Sequence, residues 1–262
     1  MPASIVVPSA PGALKKEAET ASQDGTNSTV SSESEDFLLE LDEIPQLLMF
    51  DMQKENADDV IKSLRDLTDL VRTENKHCSI NLQELASCGG PSVVVLAMNK
   101  WKTHEEIQTI GCTCIFFLAF DFACRNALVK ARGLDTIVSA MKAFPVSKGI
   151  QFAGCGAIVK TITLIGKQEA DSLQAQNAAR RFVHSPDSMS VILRAMIQFR
   201  NYSGFQAMCC EALNELASDD ECFDIMVKPN VVNVVAATLG NHGDDKCCRF
   251  HADNFMSKVT SG

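Results

Sequence analysis

The chain has 262 residues, 46% of them hydrophobic, with one Trp, one Tyr, eight Pro and 14 Gly, enough apolar matter for a folded core and too few turn residues for many short strands. A net charge of −9, carried mainly by the N-terminal third, argues against the broad basic surface that holds a phosphate backbone, so nucleic-acid binding is not expected. No apolar run reaches the roughly 18 residues that cross a bilayer, and Ile5, Val6 and Val7 before Pro8 are too few for the core of a signal peptide, so the expectation is a cytoplasmic or nuclear protein without a membrane span.

Residues 1–36 mix Pro, Ser, Thr, Ala and Glu without a sustained apolar period. Such a segment cannot bury enough surface to offset its ordering entropy, and the expectation is a disordered acidic tail. From Phe37 onward an internal repeat emerges. Ile107-Gln108-Thr109-Ile110-Gly111-Cys112 recurs as Ile150-Gln151-Phe152-Ala153-Gly154-Cys155 after 43 residues, and as Phe205-Gln206-Ala207-Met208-Cys209-Cys210 after a further 55. Ala97-Met98, Ala140-Met141 and Ala195-Met196 keep the same offsets. The shorter anchor belongs to a short helix, and the longer one opens a helix with small residues where two helices must cross closely. Gly89-Gly90 and Gly133 fall where the preceding helix must end in a sharp turn or at positive φ. Each unit therefore reads as helix, glycine turn, helix, short turn, helix.

The unit between the second and third anchors is longer than its predecessor, with the extra residues placed in the stretch 163–188. They read as a longer loop near Gly166 and an extended helix over 172–183, broken by Ser185-Pro186-Asp187. Near the end of the chain, Cys248-Arg249-Phe250-His251-Ala252 falls in register for a last long helix carrying Phe255, Met256 and Val259. Most of the eleven Cys occupy small-residue positions of this helical pattern, and they read as reduced core thiols.

Two sets of segments point to a family. The stretches 81–90 (Asn81-Leu82-Gln83-Glu84-Leu85-Ala86-Ser87-Cys88-Gly89-Gly90) and 124–133 (Cys124-Arg125-Asn126-Ala127-Leu128-Val129-Lys130-Ala131-Arg132-Gly133) resemble the first helix of the armadillo repeat, and 107–119 and 205–217 resemble its long third helix. The resemblance implies an all-α fold, a right-handed superhelix of about four to five armadillo-type repeats. It implies a repeat domain over residues 37–262, with units at 44–88 (a degenerate cap), 89–132, 133–187, 188–230 and 231–262 (a C-terminal cap).

Chemistry is hard to place on these residues. Gly154-Cys155-Gly156-Ala157-Ile158-Val159-Lys160-Thr161 ends in Lys-Thr after glycines, but a phosphate-binding loop needs Gly before the Lys and a preceding strand. Cys247, Cys248 and His251 lack a second ligand pair at metal spacing. There is no nucleophile elbow and no His-Glu-x-x-His helix, so no enzyme activity, cofactor, metal or small-molecule substrate is expected. The resemblance implies instead a concave groove lined by the third helices, whose outward positions in this sequence are Thr113, Phe117, Phe152, Gly156, Lys160, Glu211 and Glu215. The Trp–Asn ladder of the nuclear-import receptors of this fold is missing at these positions. The function implied is a protein-interaction scaffold or adaptor that takes a partner peptide or helix in the groove, the alternative being a regulator of a small GTPase or similar switch. Gly156 is expected to leave a hollow beside Phe117 and Phe152, with Lys160 offering a charge to the partner.

Overall fold

The computed structural model describes residues 43–72, 75, 77–163, 177, 180–185 and 187–261. The expected tail and the loop around Gly166 lie outside the described residues, as does most of the helix expected over 172–183. Among the described residues all regular structure is helical, with no strand. In chain order the helices are α1 (Glu43–Gln53), α2 (Ala57–Val71), α3 (Cys78–Ser87), α4 (Gly90–Lys100), α5 (Glu105–Leu118), α6 (Phe122–Lys130) and α7 (Gly133–Ala143). There follow α8 (Lys148–Thr163), α9 (Ser188–Gln198), α10 (Ser203–Leu216), α11 (Asp220–Met226), α12 (Pro229–His242) and α13 (Lys246–Ser261). No single helix among the described residues is long and apolar enough to cross a membrane.

The long helices pack in a fixed order, α2 on α5, α5 on α8, α8 on α10 and α10 on α13, while α4, α7, α9 and α12 each lie against the long helix that follows them. Apolar spacing explains the order. In α2, Val60, Ile61, Leu64, Leu67 and Val71 recur at three- and four-residue steps and are buried, which gives one apolar stripe along the helix. In α5 and α8 the stripe widens, because each is clasped on two sides by neighbouring long helices. Ile107, Cys112, Cys114, Ile115 and Leu118 are all buried in α5, as are Ile150, Cys155, Ala157, Ile158 and Val159 in α8.

One hydrogen-bond pattern repeats across these packings. The Gln108 side-chain amide donates to the carbonyls of Met98 (2.7 Å) and Trp101 (2.9 Å). Gln151 donates likewise to Met141 (2.8 Å) and Phe144 (3.0 Å), and Gln206 to Met196 (2.9 Å) and Phe199 (3.2 Å). All three glutamines are buried. The last carbonyls of a helix have no donor of their own within it, and after Met141 the residue four positions on is Pro145, which has no N–H to give. A glutamine at the fourth residue of the next helix supplies the donor, so each clasp fixes the angle at which a short helix meets a long one.

Helix starts use a second recurring device. Asp121, Asp219 and Asp245 each accept the backbone N–H of the residue three positions on, namely Cys124 (2.8 Å), Cys222 (3.2 Å) and Cys248 (2.9 Å). The carboxylate satisfies one free donor of the first turn, and the thiol beside that N–H is buried in all three cases. Asn56 caps α2 with its amide oxygen, which accepts the Asp58 N–H two positions on at 3.1 Å.

The glycine turns divide their labour differently from the sequence reading. Gly89 takes positive φ (+83°), as expected, but in the next unit the left-handed residue is Arg132 (φ 62°) and not Gly133. Gly90 and Gly133 correspond by their offset and share a different constraint. An added Cβ would sit 3.1 Å from the carbonyl oxygen of Leu85 at one and 3.1 Å from that of Leu128 at the other. Close approach, not backbone handedness, is what these two positions require.

Candidate functional site

The side chains expected to line a groove are carried by α5, α8 and α10. On α8, Lys148, Phe152, Gly156 and Lys160 recur every four residues and so form one stripe along the helix. The middle of that stripe departs from expectation. Gly156 is buried, and a Cβ there would meet the Phe116 ring at 2.9 Å and the Met208 sulfur at 3.3 Å. The hollow expected at Gly156 is therefore filled by side chains of α5 and α10; the glycine exists so that these can come close.

The remaining expected positions spread out from this point. Phe117 is half-buried and meets Phe116 edge-on at 5.2 Å, with the Arg72 guanidinium 5.7 Å from its ring centre. Thr113 donates its hydroxyl to the Thr109 carbonyl at 2.9 Å and lines a smaller cleft, of about 270 Å³, with Arg65, Asp69 and Arg72. The Lys160 ammonium lies 5.6 Å from the centre of the Phe120 ring. Glu211 is half-buried and Glu215 exposed, farther along α10.

The open hollow lies toward the start of α10. It measures about 620 Å³ and is lined chiefly by Phe116, Phe152, Ala153, Tyr202, Phe205 and Met208. Phe152 stacks on Phe205 with ring centres 4.4 Å apart and planes 19° apart, and it meets Tyr202 and Phe199 edge-on, both at 5.5 Å. Tyr202 remains 44% exposed. The Lys148 ammonium stands 4.1 Å from the Tyr202 ring centre and 5.3 Å from that of Phe152. Of the residues expected from sequence, only Phe152 lines this hollow. The sequence reading assigns Phe116, Tyr202, Phe205 and Met208, and Lys148 above the rings, no place at a site; the signal in the sequence is the aromatic step Phe199, Tyr202, Phe205 around the start of α10.

Comparison with family models, with curated proteins and with solved structures finds no match. The local chemistry must be read from the side chains themselves.

At one edge of the hollow, the Asp245 carboxylate is committed to the backbone N–H of Cys248 and to the Ser203 hydroxyl, which together hold it below the usual carboxylate range. On the other side of α10, the Asn214 side-chain oxygen is buried without a hydrogen-bond partner, and Lys258 donates to the Asn214 backbone carbonyl at 2.9 Å. Near the end of the chain, Cys248 is buried and Cys247 exposed, so the two neighbouring thiols face different surroundings. His251 meets the exposed Phe250 edge-on at 5.2 Å. Among the described residues no group of three metal-ligating side chains comes together.

The buried thiols are poor nucleophiles by environment. Burial, reinforced by the neighbouring Cys155, pushes the Cys112 thiol up to about 12. Burial likewise pushes Cys114 up to about 12 against the opposing hydrogen bond of Thr68. Cys210 rises to about 12 through burial and the nearby Cys248. Since the thiolate is the reacting species, iodoacetamide at neutral pH is expected to modify Cys247 first and to spare Cys112, Cys114 and Cys210 until the chain is unfolded. Peptide mass mapping after a timed pulse reads this directly. Labelling of Cys112 at the rate of Cys247 in native protein would show that the core opens far more often than this packing allows.

Proposed function

We propose that this chain is an armadillo-type repeat protein acting as a non-enzymatic interaction scaffold, which receives an apolar side chain of a partner peptide or helix in the hollow between α5, α8 and α10. The observation that carries this reading is the hollow itself: an open, aromatic-lined concavity of about 620 Å³ at the meeting of three long helices. Apolar pockets rimmed by polar groups are where partner anchors usually bind, and Tyr residues at such rims contribute a large share of affinity. The repeat reading is supported by the thrice-repeated glutamine clasp and by the successive packing of the long helices. It explains why the same side-chain chemistry recurs at the sequence period.

The test uses two variants of the hollow's lining, Tyr202→Ala and Met208→Glu, each checked for unchanged helicity by circular dichroism. Partners retained from cell extract by the wild-type chain are expected to fall on the order of tenfold or more in both. Full retention of every partner by both folded variants would move the binding surface elsewhere.

A further inference from the structure

Lys148 is the first residue of α8, and its ammonium lies over two of the rings that line the hollow. Lys160, three turns on along the same stripe, lies over Phe120. Among the described residues, the ion pairs formed by lysine and arginine use other cations: Lys142 reaches Asp187, and Arg180 reaches Asp219 and Glu221. Among the described residues, neither Lys148 nor Lys160 has a carboxylate within ion-pair distance. Asp245, which reaches the hollow's edge through its contact with Ser203, is already engaged by that hydroxyl and by the Cys248 N–H. An ammonium carries three N–H donors, and a ring face satisfies its charge without giving any of them a true acceptor. The hollow thus combines an apolar floor with a cation that finds no hydrogen-bond acceptor among the described residues. A basic segment would be repelled at Lys148 and Lys160, and a neutral one would leave those donors to water alone.

We propose that the occupant of the hollow is an acidic segment of a partner protein, in which an apolar or aromatic side chain stands beside a carboxylate. The side chain enters between Phe152, Tyr202 and Met208, and the carboxylate accepts a charge-assisted hydrogen bond from Lys148. This inference rests on the groove reading above and adds the chemistry of what fills it.

Random peptides displayed on phage would be selected against the full chain, and the enriched peptides synthesised and measured by fluorescence anisotropy on wild type, Lys148→Arg, Lys148→Glu and Tyr202→Ala. The expected peptides pair Asp or Glu with a neighbouring Phe, Trp or Leu. They should bind wild type and Lys148→Arg alike, weaken on the order of tenfold on Lys148→Glu, and weaken with added salt. Enrichment of neutral or basic peptides, or equal binding to Lys148→Glu, would overturn the acidic assignment while leaving the groove reading intact, provided Tyr202→Ala still abolishes binding. If nothing is enriched, or if the peptides ignore Tyr202→Ala, both readings fail together. A synthetic peptide of residues 33–42 that outcompetes the selected ones, or a dimer seen by sedimentation and lost in Tyr202→Ala, would replace the outside partner with the chain itself.

Discussion

Replacing Gln151 by Leu is expected to cost about 2–4 kcal/mol of folding stability, because it removes the donor of the Met141 carbonyl and one of the two donors of the Phe144 carbonyl. The Gln151 amide is the donor to Met141 at 2.8 Å and to Phe144 at 3.0 Å. The Met141 carbonyl would ordinarily accept from the residue four positions later, which is Pro145. Leu matches Gln closely in size, so little of the loss comes from an altered volume; it comes from buried acceptors left without hydrogen. The Phe144 carbonyl keeps the backbone N–H of Ser147 at 3.2 Å and should suffer less. Urea denaturation followed by circular dichroism measures the loss, with Gln83→Leu on an exposed face of α3 as the control expected to change stability by less than about 0.5 kcal/mol. Equal stability of Gln151→Leu and wild type would mean that water reaches these carbonyls and that the clasp is not what sets the helix angle.

A second large effect is expected at the helix crossings, where glycine admits a methionine from the preceding short helix. A Cβ at Gly111 would lie 2.5 Å from Met98 Cγ and 2.6 Å from its sulfur, and Met98 is fully buried. Cγ lies too near the root of that side chain to swing clear. Helix propensity alone favours Ala over Gly by about 1 kcal/mol, so the sign of Gly111→Ala depends on the collision, which at this distance should prevail. The expected net loss is about 1–3 kcal/mol, and more for Gly111→Val. Gly204 supplies the contrast, because nothing lies within 4 Å of its added Cβ; Gly204→Ala should be neutral or slightly stabilising. Thermal melts of the three variants separate propensity from packing. A stable Gly111→Ala would show that α4 can slide away from α5 at little cost.

The repeat and its helices were legible in the sequence because the constraint behind them is local and recurs. A glutamine, a small residue and a thiol near the start of α5, α8 and α10, with Ala-Met ten residues earlier, keep the same spacing wherever the same crossing is built. The anchors contained the clasp itself, although nothing in a linear pattern said that Gln108, Gln151 and Gln206 point back at a helix end. That depends on where the carbonyls of Met98, Met141 and Met196 stop.

The binding surface was less legible. A glycine on a helix face reads equally as a space left open or as a space taken by a neighbour, and at Gly156 only the position of Phe116, 40 residues earlier, and Met208, 52 residues later, decides between them. The same holds for positive φ, which settled on Arg132 while Gly133 absorbed the approach of Leu128. Sequence determined which segments are helical, which faces are apolar and where the helices recur, since these follow from the period of one chain segment. Tertiary structure alone decided where a cavity remains. A cavity is what is left after side chains from separate helices have claimed their volumes, and the hollow beside Tyr202 and Phe205 exists because Phe116 and Met208 filled the one next to Gly156.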